Sequence, residues 1–222
     1  MRMGKLQALI RILLLQLERF KLGSTNWYTK NLAVGMEGNS ETLKFMKENF
    51  EESKAFNYAE FGAYHGGTAL SVLKNFPNAN LYLFDYEYSI QIMRKSLFPY
   101  LDRVHFFSNS QKYLDSYNIS FAKLLSSQNI NFDYIFIDGA HTFAVDALTF
   151  FLADVALKPG GFLDFDDYEW SIATSSLKQN RIMKKLYTKS QFDEKQIKFL
   201  VENFVKGTKY KEVVKDKIFK KI

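Results

Sequence analysis

From residue 57 onward, hydrophobic and polar positions fall into a repeating alternation. Short apolar runs stand at 57–61, 80–85, 103–108, 132–138 and 160–166. Between them, near 69–74, 88–97, 111–127 and 142–156, apolar residues recur every three or four positions. Short runs bounded by polar residues predict strands, and the 3.6-residue rhythm predicts helices packed on them. Strand and helix in alternation predict an α/β fold, a doubly wound, Rossmann-like and mostly parallel sheet with helices on both faces. The rhythm changes at the end. "EVVKDKIFKKI" predicts two short strands around Lys215-Asp216, hence a C-terminal antiparallel hairpin closing one edge. Residues 171–204 read as helical and polar, a surface or lid segment.

The beginning of the chain has a different pattern. In "LQALIRILLLQLERF", Leu6, Leu9, Ile10, Leu13, Leu14, Leu17 and Phe20 share one helical face, and Ile12 and Leu15 widen it. Arg11 and Gln16 interrupt the run and no small-residue cleavage site follows, so it does not read as a signal peptide. It is also too short and too polar to span a bilayer. The pattern predicts an amphipathic helix that packs on the domain, on a twin subunit of a homodimer, or on a membrane surface. We therefore expect an N-terminal helical extension over 1–50, one domain over 51–222, and a cytoplasmic protein.

Composition narrows the class. With 222 residues, 47% hydrophobic and 24% charged, the chain suits one globular domain. It has no cysteine, which excludes disulfides and thiolate metal sites. The net charge of +6 invites a nucleic-acid partner, but seven lysines against Glu212 and Asp216 in 206–222 supply most of it. Lysines interleaved through a predicted hairpin are better explained as protection of an edge strand, so nucleic acid is disfavoured.

Candidate chemistry begins at "EFGAYHGGTALSVL", 60–73, where three of the chain's 11 glycines cluster between a strand and a helix. Such a turn brings a ligand close to bare backbone, and the helix N-terminus favours polar or anionic groups. Asp85 ends the next strand, 23 residues after Gly62, where an acidic tip holds a ribose diol. Gly62-x-x-x-Gly66 is looser than the dinucleotide fingerprint, and no Lys-Ser/Thr pair follows to hold a triphosphate. Further along, Asp138 closes one predicted strand and Asp166 and Asp167 close the next. Carboxylates at the ends of adjacent strands repel unless a cation or shared protons relieve them, and a hard ion such as Mg²⁺ suits oxygen donors.

Glu60-Phe61-Gly62-Ala63-Tyr64-His65-Gly66-Gly67-Thr68 resembles the first motif of class I S-adenosylmethionine-dependent methyltransferases. It is especially similar to that of the metal-dependent, catechol-type O-methyltransferases. "IDGAH" (137–141) and "LDFDDYEW" (163–170) resemble the bacterial enzymes of this class that methylate sugars and antibiotics. The resemblance covers about residues 57–170 and implies S-adenosylmethionine as cofactor. It places Glu60, Gly62, Ala63, Tyr64, Gly66, Thr68, Asp85, Tyr86, Asn109, Ser110, Gln111 and Asp138 in the cofactor's contacts. It supports Mg²⁺ on Asp138, Asp166 and Asp167.

A sulfonium methyl is already activated, so an enzyme need only align a hydroxyl and remove its proton. His141, three positions past Asp138, is the candidate base, with Asp138 beside it as the second catalytic residue; the family has a lysine there. His65 reads as a loop residue near the cofactor, and His105 as structural within a buried strand. The expected activity is O-methylation of a small molecule or sugar. The alternatives are a nucleic-acid methyltransferase using the basic tail and a non-catalytic cofactor-binding protein.

Overall fold

A computed structural model describes residues 38–112 and 115–222. The amphipathic segment at 6–20, and with it the twin-subunit and membrane-surface expectations, lies outside the described residues.

The chain builds α1 (Ser40–Asn49), β1 (Phe56–Phe61), α2 (Gly67–Asn75), β2 (Ala79–Tyr86), α3 (Glu87–Ser96), β3 (Val104–Asn109), α4 (Tyr117–Ser127), β4 (Phe132–Ile137), α5 (Phe143–Ala156) and β5 (Leu157–Phe165). Short helices follow, among them α6 (Arg181–Leu186), α7 (Lys189–Asp193) and α8 (Gln196–Leu200), and β6 (Tyr210–Val214) and β7 (Ile218–Lys221) close the fold. The seven strands lie in the order β3-β2-β1-β4-β5-β7-β6. The first five are parallel, and β7 runs antiparallel to both β5 and β6. This is the Rossmann-like sheet with its terminal hairpin.

Both faces of the sheet are covered. Tyr58, Leu81, Leu83, Tyr134 and Phe136 pack with Met46, Val72 and Met93 of α1–α3. Ala59, Phe61, Phe84, Ile135 and Leu163 pack on the other face with Phe121, Phe150 and Leu200. Period-two strands buried on both faces read as continuous apolar runs. α1 belongs to the first core, since Thr42, Phe45 and Met46 are buried there. Among the described residues, no helix is long and apolar enough to cross a membrane.

One expectation fails in the fold. His105 is exposed, because β3 is an edge strand, and its ring stacks on Tyr82 with 4.6 Å between centroids. The tail lysines are largely paired: Lys206 with Glu202 and Asp216, and Lys209 and Lys221 with Asp154. Lys217 is the exception to the surface pattern, buried between the hairpin and β5.

Candidate active site

The C-terminal ends of β1, β2, β4 and β5 lie side by side, and the main chain continues their ladder into the loops. Gly62 N–H donates to Phe84 O, Asp138 N–H to Phe61 O, and Asp166 N–H to Ile137 O, at 2.9, 2.9 and 3.0 Å. Three non-glycine residues with positive φ stand just beyond these ends: Tyr64 (49°), His141 (52°) and Asp167 (58°). Left-handed backbone costs about 1–2 kcal/mol per residue, so surrounding contacts must hold it.

On the β1–β3 side, Ala63 O accepts from Gly66 N–H at 2.8 Å, and Gly66 caps α2 at φ 83°. Asp85, buried, accepts from Tyr64 N–H and Tyr86 N–H, each at 2.6 Å. Burial pushes Asp85 up to about 6 despite these donors and the Ser89 hydroxyl. These three bonds still leave lone-pair capacity on its oxygens for a further donor. Glu60 is fully enclosed, accepts from Tyr58 OH at 3.0 Å, and is pushed up to about 8 by burial first and then by Asp85 and Asp164. Thr68 Oγ1 accepts from Asn39 N–H at 3.0 Å. Ser110 donates from N–H and hydroxyl to Asp115, at 2.7 and 2.6 Å. Gln111 follows it in the same loop.

Gly62 owes its identity to a contact that sequence does not reveal. At φ +86°, a Cβ there would stand 2.1 Å from the carbonyl oxygen of Asp138 and 2.5 Å from Gly139 Cα. The glycine lets the β1 turn and the β4 loop touch.

On the β4–β5 side, His141 lies between two carboxylates. Its Nδ1 is 3.3 Å from Asp167 Oδ2, and its Nε2 is 4.0 Å from Asp138 Oδ1. Donor atoms of Asp138, His141 and Asp167 all lie within 4.8 Å of one another. Asp166 is hydrogen-bonded to Asp138, while its Oδ1 faces Asn39 Nδ2 at 3.3 Å and Lys217 Nζ at 3.5 Å. Asp138 is pushed up to about 10, by burial first and then by the charges of Asp166, Glu60 and Asp167. Burial and Asp166 also raise Asp167, against the opposing pull of His141. Of the three predicted carboxylates, Asp138 and Asp167 meet with His141 in one set, while Asp166 reaches Asp138 but stands outside that set, because Asn39 and Lys217 draw its Oδ1 away.

Several supports were not visible in the sequence. Tyr117 OH donates to Asp146 at 2.7 Å, and Asp146 accepts from Thr142 N–H at 3.0 Å, which fixes the loop carrying His141. Tyr117 OH also accepts from Ala140 N–H, and a Cβ on Gly139 would stand 2.1 Å from it. Trp170 stands beside His141, with ring centroids 5.4 Å apart. Tyr168 turns away, its hydroxyl bonded to Glu202 and its ring faced by Lys198 and Lys206.

The β1–β3 side leaves two buried polar atoms, His65 Nε2 and Asn109 Oδ1, without a protein partner. Buried polar groups are nearly always bonded, so both fit a polar ligand at these strand ends. His65 stacks on Tyr64 at 3.8 Å, and burial lowers its pKa.

A parallel sheet carrying a glycine turn and acidic strand tips on one edge defines a nucleoside-binding α/β protein. Residues 59–168 match a family described as a methyltransferase domain. The chain is a class I S-adenosylmethionine-dependent methyltransferase. Its fold is similar to that of an O-methyltransferase from Bacillus cereus in complex with SAH: 14% identity, 94% of this chain and 90% of that one covered, TM-score 0.60. It is also similar to an SAH-bound methyltransferase from Podospora anserina: 13% identity, 93% and 86% covered, TM-score 0.57. Among curated proteins none matches the sequence.

Proposed function

We propose that this chain transfers the methyl group of S-adenosylmethionine to a hydroxyl of a small molecule or sugar, assisted by a divalent cation. The observation that carries this reading is His141, set between Asp138 and Asp167 at the shared edge of the sheet. A proton on Nδ1 is favoured by the Asp167 carboxylate 3.3 Å away, which leaves Nε2 as the acceptor for a hydroxyl proton. Trp170 stands beside the same ring. Asp85 accepts from the ribose hydroxyls, and Glu60, Asn109 and the Ala63–Gly66 turn complete the cofactor's polar contacts.

The donor set fits a cation. Asp138 and Asp167 offer hard oxygens within 4.8 Å of each other, and Asp166, which reaches Asp138, is the third carboxylate we assign to the ion; a divalent cation such as Mg²⁺ would relieve their repulsion. A bound cation supplies orientation of the acceptor oxygen and a lowered pKa for its proton. His141 then takes that proton.

The test is turnover on a panel of hydroxylated acceptors, catechols and sugars included, with and without chelator. Chelation is expected to abolish transfer while cofactor affinity stays. His141→Ala is expected to slow transfer about 10²–10⁴-fold with cofactor affinity unchanged. Full activity under chelation, with His141→Ala impaired, would replace the cation by general-base catalysis alone. Harmlessness of both would remove the site.

A further inference from the structure

Lys217 is the only lysine or arginine buried among the described residues, and it lies beneath the carboxylate cluster. Its backbone is clipped to β5, because Phe165 N–H donates to Lys217 O at 3.0 Å, one residue before Asp166. Its ammonium pairs with Asp164, 3.0 Å from Oδ1, and donates to Phe165 O at 3.4 Å and to Asp166 Oδ1 at 3.5 Å. Burial disfavours the charge, but Asp164 and Asp166 outweigh it and raise the pKa, so the lysine is charged.

Stability alone is a poor account of this arrangement. Asp164 already receives Thr42 Oγ1 at 2.6 Å and Tyr134 OH at 2.7 Å. A buried ion pair adds little over an apolar pair of the same shape. What the lysine adds is its reach to the second carboxylate. Asp164 and Asp166 alternate with Phe165, so their side chains leave the chain on one side, and Lys217 bridges them. Asn39 grips the same oxygen of Asp166 from the opposite end of the described chain. Asp166 is thus held through Oδ1 and meets Asp138 as well.

We propose that Lys217 is a positioning residue of the site: with Asn39 it fixes one oxygen of Asp166, so that the carboxylate is presented to Asp138 and to a bound divalent cation. This rests on the cation reading above. Residues that orient a ligand carboxylate typically change cation affinity 10–100-fold when lost. The arrangement also ties the C-terminal hairpin to the chemistry, so the hairpin does more than close the sheet.

The test uses the full chain and cation binding alone, without acceptor. Lys217→Met leaves Asp164 buried and unpaired, so the informative variant is Lys217→Met with Asp164→Asn. That pair removes one charge of each sign and leaves the local net charge unchanged. Mg²⁺ and Mn²⁺ affinities are read by calorimetry, with Tm and cofactor Kd measured alongside. The expected result is a Tm near that of the parent, an unchanged cofactor Kd and a cation affinity about 10–100-fold weaker. A cation affinity equal to or tighter than the parent's, at restored Tm, would reduce Lys217 to a packing element and overturn the proposal. Should the double variant not fold, Asn39→Ser keeps a capping oxygen for α1 while removing the amide donor to Asp166. It is expected to weaken the cation in the same direction, and unchanged affinity there counts against the proposal equally. A parent protein that binds neither cation at millimolar concentration sinks the cation reading itself. That outcome is seen before any variant is made, so the two failures are distinguishable.

Discussion

The two halves of the sheet edge solve opposite problems. On the β1–β3 side the turn is held by backbone: Ala63 O, Gly66 N–H and the amides of Tyr64 and Tyr86 on Asp85. Its side chains leave buried polar atoms open, at His65 Nε2 and Asn109 Oδ1. On the β4–β5 side the polar groups are engaged with one another, and side chains from distant segments hold them: Asn39, Tyr117, Asp146 and Lys217. A preformed but unsaturated surface suits a cofactor that every turnover shares. A crowded acidic cluster with outside supports suits chemistry that needs fixed geometry. The difference teaches that a ligand cradle can be encoded locally, whereas a reacting constellation needs the whole fold.

The largest effect should come from breaking the seam between the halves. Gly62→Ala forces a β-carbon to 2.1 Å from Asp138 O at φ +86°, against backbone on both counts. Strain of about 1–2 kcal/mol and overpacking of about 1–3 kcal/mol add to a loss of several kcal/mol in stability. Thermal unfolding should show a Tm many degrees lower, and the surviving folded fraction should bind cofactor weakly and turn over poorly. A variant with normal Tm and only its cofactor affinity reduced would mean the glycine serves the ligand and the halves are independent.

A smaller effect separates the halves cleanly. Asp85→Ala removes the proposed acceptor for the ribose and a clamp on the turn, so cofactor affinity should fall about 10- to 100-fold, about 1.5–3 kcal/mol. Affinity for the proposed cation, assigned to β4 and β5, should stay as it was. Calorimetric titrations of both ligands decide this. Unchanged cofactor affinity in a folded variant would dismiss Asp85 as a ribose partner.

Legibility in the sequence follows the same division. Strands buried on both faces leave continuous apolar runs, so all five parallel strands and the hairpin were readable. The glycine turn and Asp85 are close in sequence, and so was their pairing. Misreadings have local causes. β5 starts at Leu157 because Leu157 still pairs with Phe132 of β4, and the register shifts across Lys158–Gly161, whose Pro and Gly residues read as a turn, before it resumes at Phe162. α4 starts at Tyr117 and not near 111, because Asp115 draws in both Ser110 donors and makes a turn first. His105 looked buried because a single strand does not reveal that it lies at the edge. Lys217 was one of seven similar lysines, and only the insertion of β7 between β5 and β6 puts it inside. Tyr117 and Asp146 are 29 residues apart, so no spacing rule joins them.

The smallest effect is a slope. Glu60 joins both halves: the charge of Asp85 raises it, and its own charge raises Asp138. In the folded protein it holds its proton up to about 8, against an ordinary value of 4.5, because burial opposes ionisation. Between those values the unfolded chain has lost the proton and the folded chain retains it. Stability of the ligand-free protein should therefore fall as pH rises from about 4.5 to about 8, by at most about 1.4 kcal/mol per unit for this one group. Above about 8 both states are ionised and this slope ends. Asp85 adds its own decline up to about 6, and Asp138 continues one to about 10. Glu60→Gln keeps the shape and cannot titrate, so denaturant unfolding at pH 5 and pH 8 should show a decline shallower by up to one proton's worth. Cofactor affinity should report the same group from the other side. A sulfonium with an ammonium favours ionised Glu60, so parent affinity should rise toward pH 8 more steeply than that of Glu60→Gln. Identical pH slopes in parent and variant, for both stability and binding, would show that Glu60 is a passive core residue and leave the two halves electrostatically separate.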